Sequence, residues 1–214
     1  MKLELLEVIE RVASKIAPGR APSFNEAQVV KALEIIGIYG TIGRIRLSKE
    51  LELGEGATRT LLKHLKKEGL IEGSRRGVTF SKQGNKLFSK LRSKISEGTD
   101  IPNSPITVGP FNIAVLVRDT AHRVKRGVEQ RDTAIKAGAI GATTLIFSHN
   151  KLTMPSNEEE AFKDLSPMDN ILTSKLNPKE NDVIIVGSGE NKKIAEIGAK
   201  MAALKLLKSY NEKR

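Results

Sequence analysis

The side chains with chemistry to offer in this sequence are cations, not nucleophiles or metal ligands. Arg59, Lys63, Lys66 and Lys67 recur along one stretch, and Arg75 and Arg76 stand together a little further on, between glycines. Cations set out this way neutralise phosphates, while Thr58, Arg59 and Thr60 carry groups suited to base edges. Histidine is scarce. His64, His122 and His149 each lack a serine or acid at a spacing that would make a relay, and the chain has no cysteine. No catalytic residue, metal or cofactor is expected, and so no enzyme. Two weaker possibilities lie in the second half. Gly187-Ser188-Gly189 reads as a turn between a buried strand and a helix, whose N–H groups would suit an anion. Lys192 occupies the third glycine position of G-x-G-x-x-G, and the full phosphate-loop spacing is absent. Arg123, Arg126, Gln130 and Arg131 lie in a stretch of dense mixed charge, open to an anionic small-molecule effector or a dimer contact. A capped turn and an ion-paired surface are the plain alternatives.

These cations need a scaffold, and residues 47–81 supply one. Leu47, Leu51 and Leu53 form a short apolar stripe after Ser48 as a cap, and Gly54 is expected to stop that helix. A second helix is expected over 56–68, with Ala57, Leu61, Leu62 and Leu65 inward and Thr58, Arg59, Lys63, Lys66 and Lys67 on its other faces. Strands at 70–72 and 78–80 then flank a basic turn, 73–77. On these residues the chain resembles winged helix-turn-helix domains, over roughly 25–95. The resemblance implies a three-helix domain whose second motif helix lies in the major groove of double-stranded DNA. That helix opens here on Gly54-Glu55-Gly56 rather than on Ser or Thr.

Charge distribution points the same way. The formal net charge is +11, yet residues 1–39 sum to zero and 40–97 carry +8, leaving +3 for 98–214. Positive charge concentrated on one segment is the footprint of a surface that faces a polyanion. With two Tyr, six Phe and no Trp, stacking on single strands is disfavoured. The acids among residues 1–16 are unlike a signal peptide, and three prolines in the uncharged run 101–117 exclude a membrane span. A cytoplasmic protein with no membrane partner is expected.

Around the motif the periodicity predicts an amphipathic helix over 2–16 and a capping box at Ser23–Glu26 opening a helix with Val29, Val30, Leu33 and Ile36 inward. It predicts a glycine-punctuated connection over 37–43 and a helix over 81–95. Residues 96–103, rich in turn formers, read as a linker, which divides the chain into domains 1–97 and 104–214. Beyond it, 111–117 and 182–187 read as strands and 143–147 with 151–154 as a hairpin. Helices are predicted over 121–137, with Val124, Val128 and Ile135 inward, after Ser156-Asn157, and over 190–210, with Ile194, Ile197, Met201, Leu204 and Leu207 in one stripe. This order suggests an α+β fold, a mainly antiparallel sheet with helices on one face.

The whole chain, with GVEQRDTAIKAGAIGATTLIF in its second half, resembles an archaeal family of uncharacterised proteins whose C-terminal domain is similar to the GAD insertion domain of some aminoacyl-tRNA-related enzymes. The resemblance implies a two-layer α/β sandwich behind the winged helix-turn-helix domain and brings no ligand. The reading is a DNA-binding transcriptional regulator, a homodimer whose C-terminal domain dimerises or senses an effector. The alternative is a structured-RNA or tRNA-associated protein.

Overall fold

The computed structural model describes residues 2–14, 21–155 and 166–208, and the chain divides into two compact units, Met1–Arg92 and Ser93–Arg214. In the first, helix α1 (Lys2–Ala13) buries Leu5, Leu6, Val8, Ile9 and Val12. Helix α2 (Glu26–Tyr39) opens on a reciprocal cap: the Asn25 side chain accepts from Gln28 N at 3.1 Å, and Gln28 Oε1 accepts from Asn25 N at 3.0 Å. The capping box therefore lies two residues beyond Ser23–Glu26, where an extended Asn25 puts its oxygen over the first turn. The helix continues through 37–39, expected as connection, because Gly37 lets the Phe88 ring lie flush against it. It ends at Gly40, whose positive φ of 65° suits glycine.

Strand β1 (Thr41–Ile42), helices α3 (Arg44–Leu51) and α4 (Glu55–Lys67), strands β2 (Ile71–Ser74) and β3 (Gly77–Phe80), and helix α5 (Lys82–Arg92) complete this unit. The three strands form an antiparallel sheet in the order β1-β3-β2. The helix stop expected at Gly54 is supplied by Glu52, left-handed at φ 47°. Gly54 instead caps α4, and Ser48 lies inside α3, its hydroxyl donating to Leu53 O at 2.6 Å. Leu33, Ile36, Ile42, Leu47, Leu61, Leu65 and Leu70 fill the core. Helix α5 stops at Arg92, short of the expected end at 95; Ile95 belongs to the second unit and bridges to Val117 within it.

The second unit is a five-stranded, wholly antiparallel sheet in the order β4-β5-β8-β6-β7. Its strands are β4 (Thr99–Ile101), β5 (Phe111–Val117), β6 (Gly141–Ser148), β7 (Lys151–Thr153) and β8 (Val183–Gly189). Residues 96–103, expected as linker, are thus part of the sheet edge: Thr99–Ile101 pair with Asn112–Ala114. Three residues among turn formers carry no local strand signal; the partner strand supplies their order. His149 and Asn150, both left-handed at φ 51° and 64°, turn β6 into β7.

Helices α6 (Val128–Lys136) and α8 (Lys192–Lys208) pack on one sheet face. Helix α7 (Ser166–Leu176) covers the other, where Met168, Leu172 and Leu176 meet Ala114, Leu116, Leu145, Phe147, Ile184 and Val186. The expected arrangement, with helices on one face only, is corrected. A strand buried at every position, as β8 is, needs cover on both sides. The single helix expected over 121–137 is also corrected. A 3₁₀ turn (Ala121–Arg123) is followed by a break at Gly127, left-handed at φ 77°. On α6 the buried residues are Gln130 and Ala134, while Val128 and Ile135 are 40% and 48% exposed, the reverse of the periodicity reading. The reason is close approach: Gly198 of α8 faces Ala134 and Ala139, so α6 must turn its small side chains inward. On α8 likewise Ala195, Ala199, Ala202 and Ala203 are buried with Leu204 and Leu207, whereas Ile194, Ile197 and Met201 are half-buried. The helix expected after Ser156-Asn157 lies outside the described residues.

Candidate nucleic-acid interface

Helix α4 carries the basic face. Its inward residues are Thr58, Leu61, His64 and Leu65. His64 ties it to α1 through a 2.7 Å hydrogen bond between Nδ1 and Val12 O, and its ring meets Phe24 edge-on at 5.8 Å. Arg11 of α1 grips Glu68, just past the end of α4, with Nε and Nη2 at 3.1 and 3.0 Å. With one side held, Arg59, Lys63, Lys66 and Lys67 are exposed, and none makes an ion pair among the described residues. Arg59 and Lys63 are one turn apart, roughly 6 Å along the axis.

Thr58 belongs to the other side. It is fully buried, its hydroxyl donating to Gly54 O at 3.2 Å, and it cannot reach a base edge. The expectation that placed it among the outward residues is corrected: a β-branched side chain small enough for the α4 seam packs there beside Leu61 and Leu65. Ala57 and Leu62, expected inward, are half-buried. Thr60 is half-buried, and its hydroxyl donates back to Gly56 O at 3.1 Å.

The β2–β3 hairpin presents Arg75 and Arg76 at its two-residue tip, both exposed. Ser74 pins that tip: its hydroxyl donates to Gly77 O at 3.1 Å and accepts from Arg76 N at 3.2 Å. Gly77 is required on a second ground, since a Cβ there would strike the Ile42 carbonyl of β1. Two further exposed cations, Arg44 and Arg46, lie on α3 and were not singled out from the sequence. Arg46 stacks on the Tyr39 ring at 4.0 Å. Their signal is the R-I-R run, which falls between the connection expected over 37–43 and the helix expected from Leu47.

The other candidate ligand residues do not come together. Gly187, Ser188 and Gly189 are not a turn but the end of β8. Ser188 is buried, donating to Asn112 Oδ1 at 2.6 Å and accepting from Val108 N at 3.2 Å. A Cβ at Gly187 or Gly189 would collide with the backbone of α8, so these glycines serve strand–helix packing and not an anion. Arg123 is half-buried and donates to Leu207 O at 3.0 Å, a cation on the last turn of α8. Arg131 pairs with its neighbour Asp132 at 3.2 Å, Gln130 is buried and Arg126 is exposed.

Residues 35–86 match the family described as PH0730-like, N-terminal domain, and residues 108–206 match a domain of unknown function, DUF4443. Hypothetical protein PH0730 from Pyrococcus horikoshii OT3 is similar in structure, with a TM-score of 0.67 and 29% sequence identity over 85% of this chain and 94% of that one. The matches support an uncharacterised archaeal family. Comparison with curated proteins gave no match. The N-terminal match holds all of α3, α4 and the hairpin, and the C-terminal one runs from before β5 into α8. Among the described residues no helix is long and apolar enough to cross a membrane.

Proposed function

We propose that the first unit is a winged helix-turn-helix that binds duplex DNA, and that the chain acts as a transcriptional regulator. In this reading α3 and α4 are the two motif helices and the β2–β3 hairpin is the wing. The observation that carries it is the pairing of an exposed cationic face, Arg59, Lys63 and Lys66, with a rigid hairpin tip bearing Arg75 and Arg76. Lysines and the tip arginines anchor phosphates, and Arg59, with a planar donor fork, is the base-edge reader. Thr60 sits beside it on the same helix. Arg44 and Arg46 extend the phosphate-binding surface onto α3. The second unit serves as dimerisation or effector domain, and the protein works as a homodimer on two-fold sites.

Equilibrium binding to a genomic duplex and to folded tRNA at matched salt tests the reading. Tighter binding to duplex is expected. Preference for tRNA transfers the cationic face to structured RNA, and no duplex binding at low salt removes the regulator.

A further inference from the structure

Three strands of the second unit come together at one end of its sheet, where the loop 102–110 crosses them. Phe111 opens β5 opposite Gly189, the last residue of β8. On the other side of β8, Gly141 pairs with Ser188 and Ile140 N donates to Ser188 O at 2.9 Å. Phe111 and Ile140 therefore flank Gly189 across the sheet, about 10 Å apart at two strand spacings. Val108 joins them from the loop. Ile140 lies over Gly109 and Val108 over Gly141, where an added Cβ would come within 3.0 and 2.9 Å of them. All three side chains are open to solvent, Val108 at 55%, Ile140 at 43% and Phe111 at 40%. The loop is held from within. Ser188 Oγ accepts from Val108 N at 3.2 Å and donates to Asn112 Oδ1 at 2.6 Å. Asn112 Nδ2 donates to Gly109 O at 3.0 Å, and Thr143 Oγ1 to Ile106 O at 2.6 Å. Polar side chains thus point inward here while three large apolar ones stand outward on a fixed backbone, the usual mark of a contact surface.

Charge decides what covers this face. The chain carries +11 and 29% charged residues, yet 101–117 and 137–148, which build this end, contain none. Asp100, bordering the first run, is neutralised by Lys192 at 2.8 Å. Elsewhere among the described residues the exposed large apolar side chains are interleaved with charge. Ile45 lies between Arg44 and Arg46, and Val128 and Ile135 share α6 with Glu129, Arg131, Asp132 and Lys136. An acidic protein or an anionic bilayer seats on cations beside apolar groups, and these two runs offer no cation. A second copy has the opposite need. Two chains of +11 repel where their charges face each other, but salt confines that repulsion to about 8 Å, so an uncharged face is where they can meet. We propose that this end of the second unit is the contact between two copies of the chain, related by a two-fold axis, with Val108, Phe111 and Ile140 at its centre. The assignment rests on the homodimeric reading and names its surface; it does not depend on DNA binding.

Sedimentation equilibrium of the full chain tests it, on the parent, Val108→Asp, Ile140→Asp and the control Ile45→Asp, each first shown to be folded by its melting curve. The parent is expected to dimerise at micromolar concentration. Val108→Asp and Ile140→Asp should raise the dimer dissociation constant about tenfold or more, since each places two like charges in one desolvated contact. Ile45→Asp, on an equally exposed isoleucine of the first unit, should leave it within about twofold. Val108→Ser adds no charge, should act in the same direction, and carries the test if the aspartate variants do not fold. A monomeric parent overturns the homodimeric reading and this contact together, and leaves the face to a different protein. A dimeric parent whose dissociation constant is unchanged in the folded variants at 108 and 140, or is raised as much by Ile45→Asp, keeps the homodimer and overturns this surface.

Discussion

Replacing both hairpin-tip arginines, Arg75 and Arg76, with alanine is the sharpest test of how the first unit meets DNA. Both are exposed, and Ser74 holds the tip through backbone groups of Gly77 and Arg76, which the substitutions keep. Stability should therefore stay within about 0.5 kcal/mol of the parent. Binding should not. With one phosphate each for Arg44, Arg46, Lys63, Lys66, Arg75 and Arg76, the slope of log affinity against log salt is about −5.4 per protomer, at about 0.9 per contact. That is a loss of about 1,800-fold between 50 and 200 mM salt. The double variant keeps four contacts, so its slope falls to about −3.6 and the loss to about 150-fold. Fluorescence anisotropy on a labelled duplex across that range reads both numbers. A second duplex of unrelated sequence should weaken in parallel, since backbone contacts carry no sequence information. The charge-matched control is Lys82→Ala with Lys86→Ala, on the exposed side of α5. If the control flattens the slope as much as the tip variant, the positive charge is a general surface property and the docking geometry is wrong.

The other expectations are quickly stated. Arg59→Ala should relax sequence preference at one position, at about 1–3 kcal/mol in selection from a random duplex pool; a uniform loss across sequences would make it a phosphate contact. Gly187→Ala should lower thermal stability by several degrees without any ligand present, because its Cβ meets Ala199 N at 2.7 Å; an unchanged melting point would remove the packing account. His64→Ala should cost about 2–4 kcal/mol in urea unfolding, since it opens a cavity and strands Val12 O; a cost under 1 kcal/mol would mean that α1 is held otherwise. Sedimentation at micromolar concentration should find a dimer, and a single species of one chain's mass refutes it.

Much of the scaffold was legible because its signals are local. The apolar run 111–117 is a strand with those bounds, and α4 lies within a residue of its expected ends, since helical spacing and Gly69 speak for themselves. The concentration of charge on residues 40–97 needs no structure at all.

What the sequence alone could not decide were the matters settled by a distant partner. Thr58 and Arg59 are neighbours of similar polarity by pattern; only the seam against the rest of the unit turns Thr58 in and leaves Arg59 out. Gly187-Ser188-Gly189 carries the composition of a turn, yet it is strand because α8 comes close enough that a Cβ would collide. Thr99–Ile101 is a strand only because Asn112–Ala114 lies beside it. Val128 and Ile135 were expected inside by periodicity, but α6 and α8 meet through Ala134 and Gly198, so closeness of approach outweighed hydrophobicity. Periodicity and turn residues are properties of a segment, and the sequence by itself determined those. The buried face and the strand pairing are properties of segments in contact, and only the tertiary structure decided them.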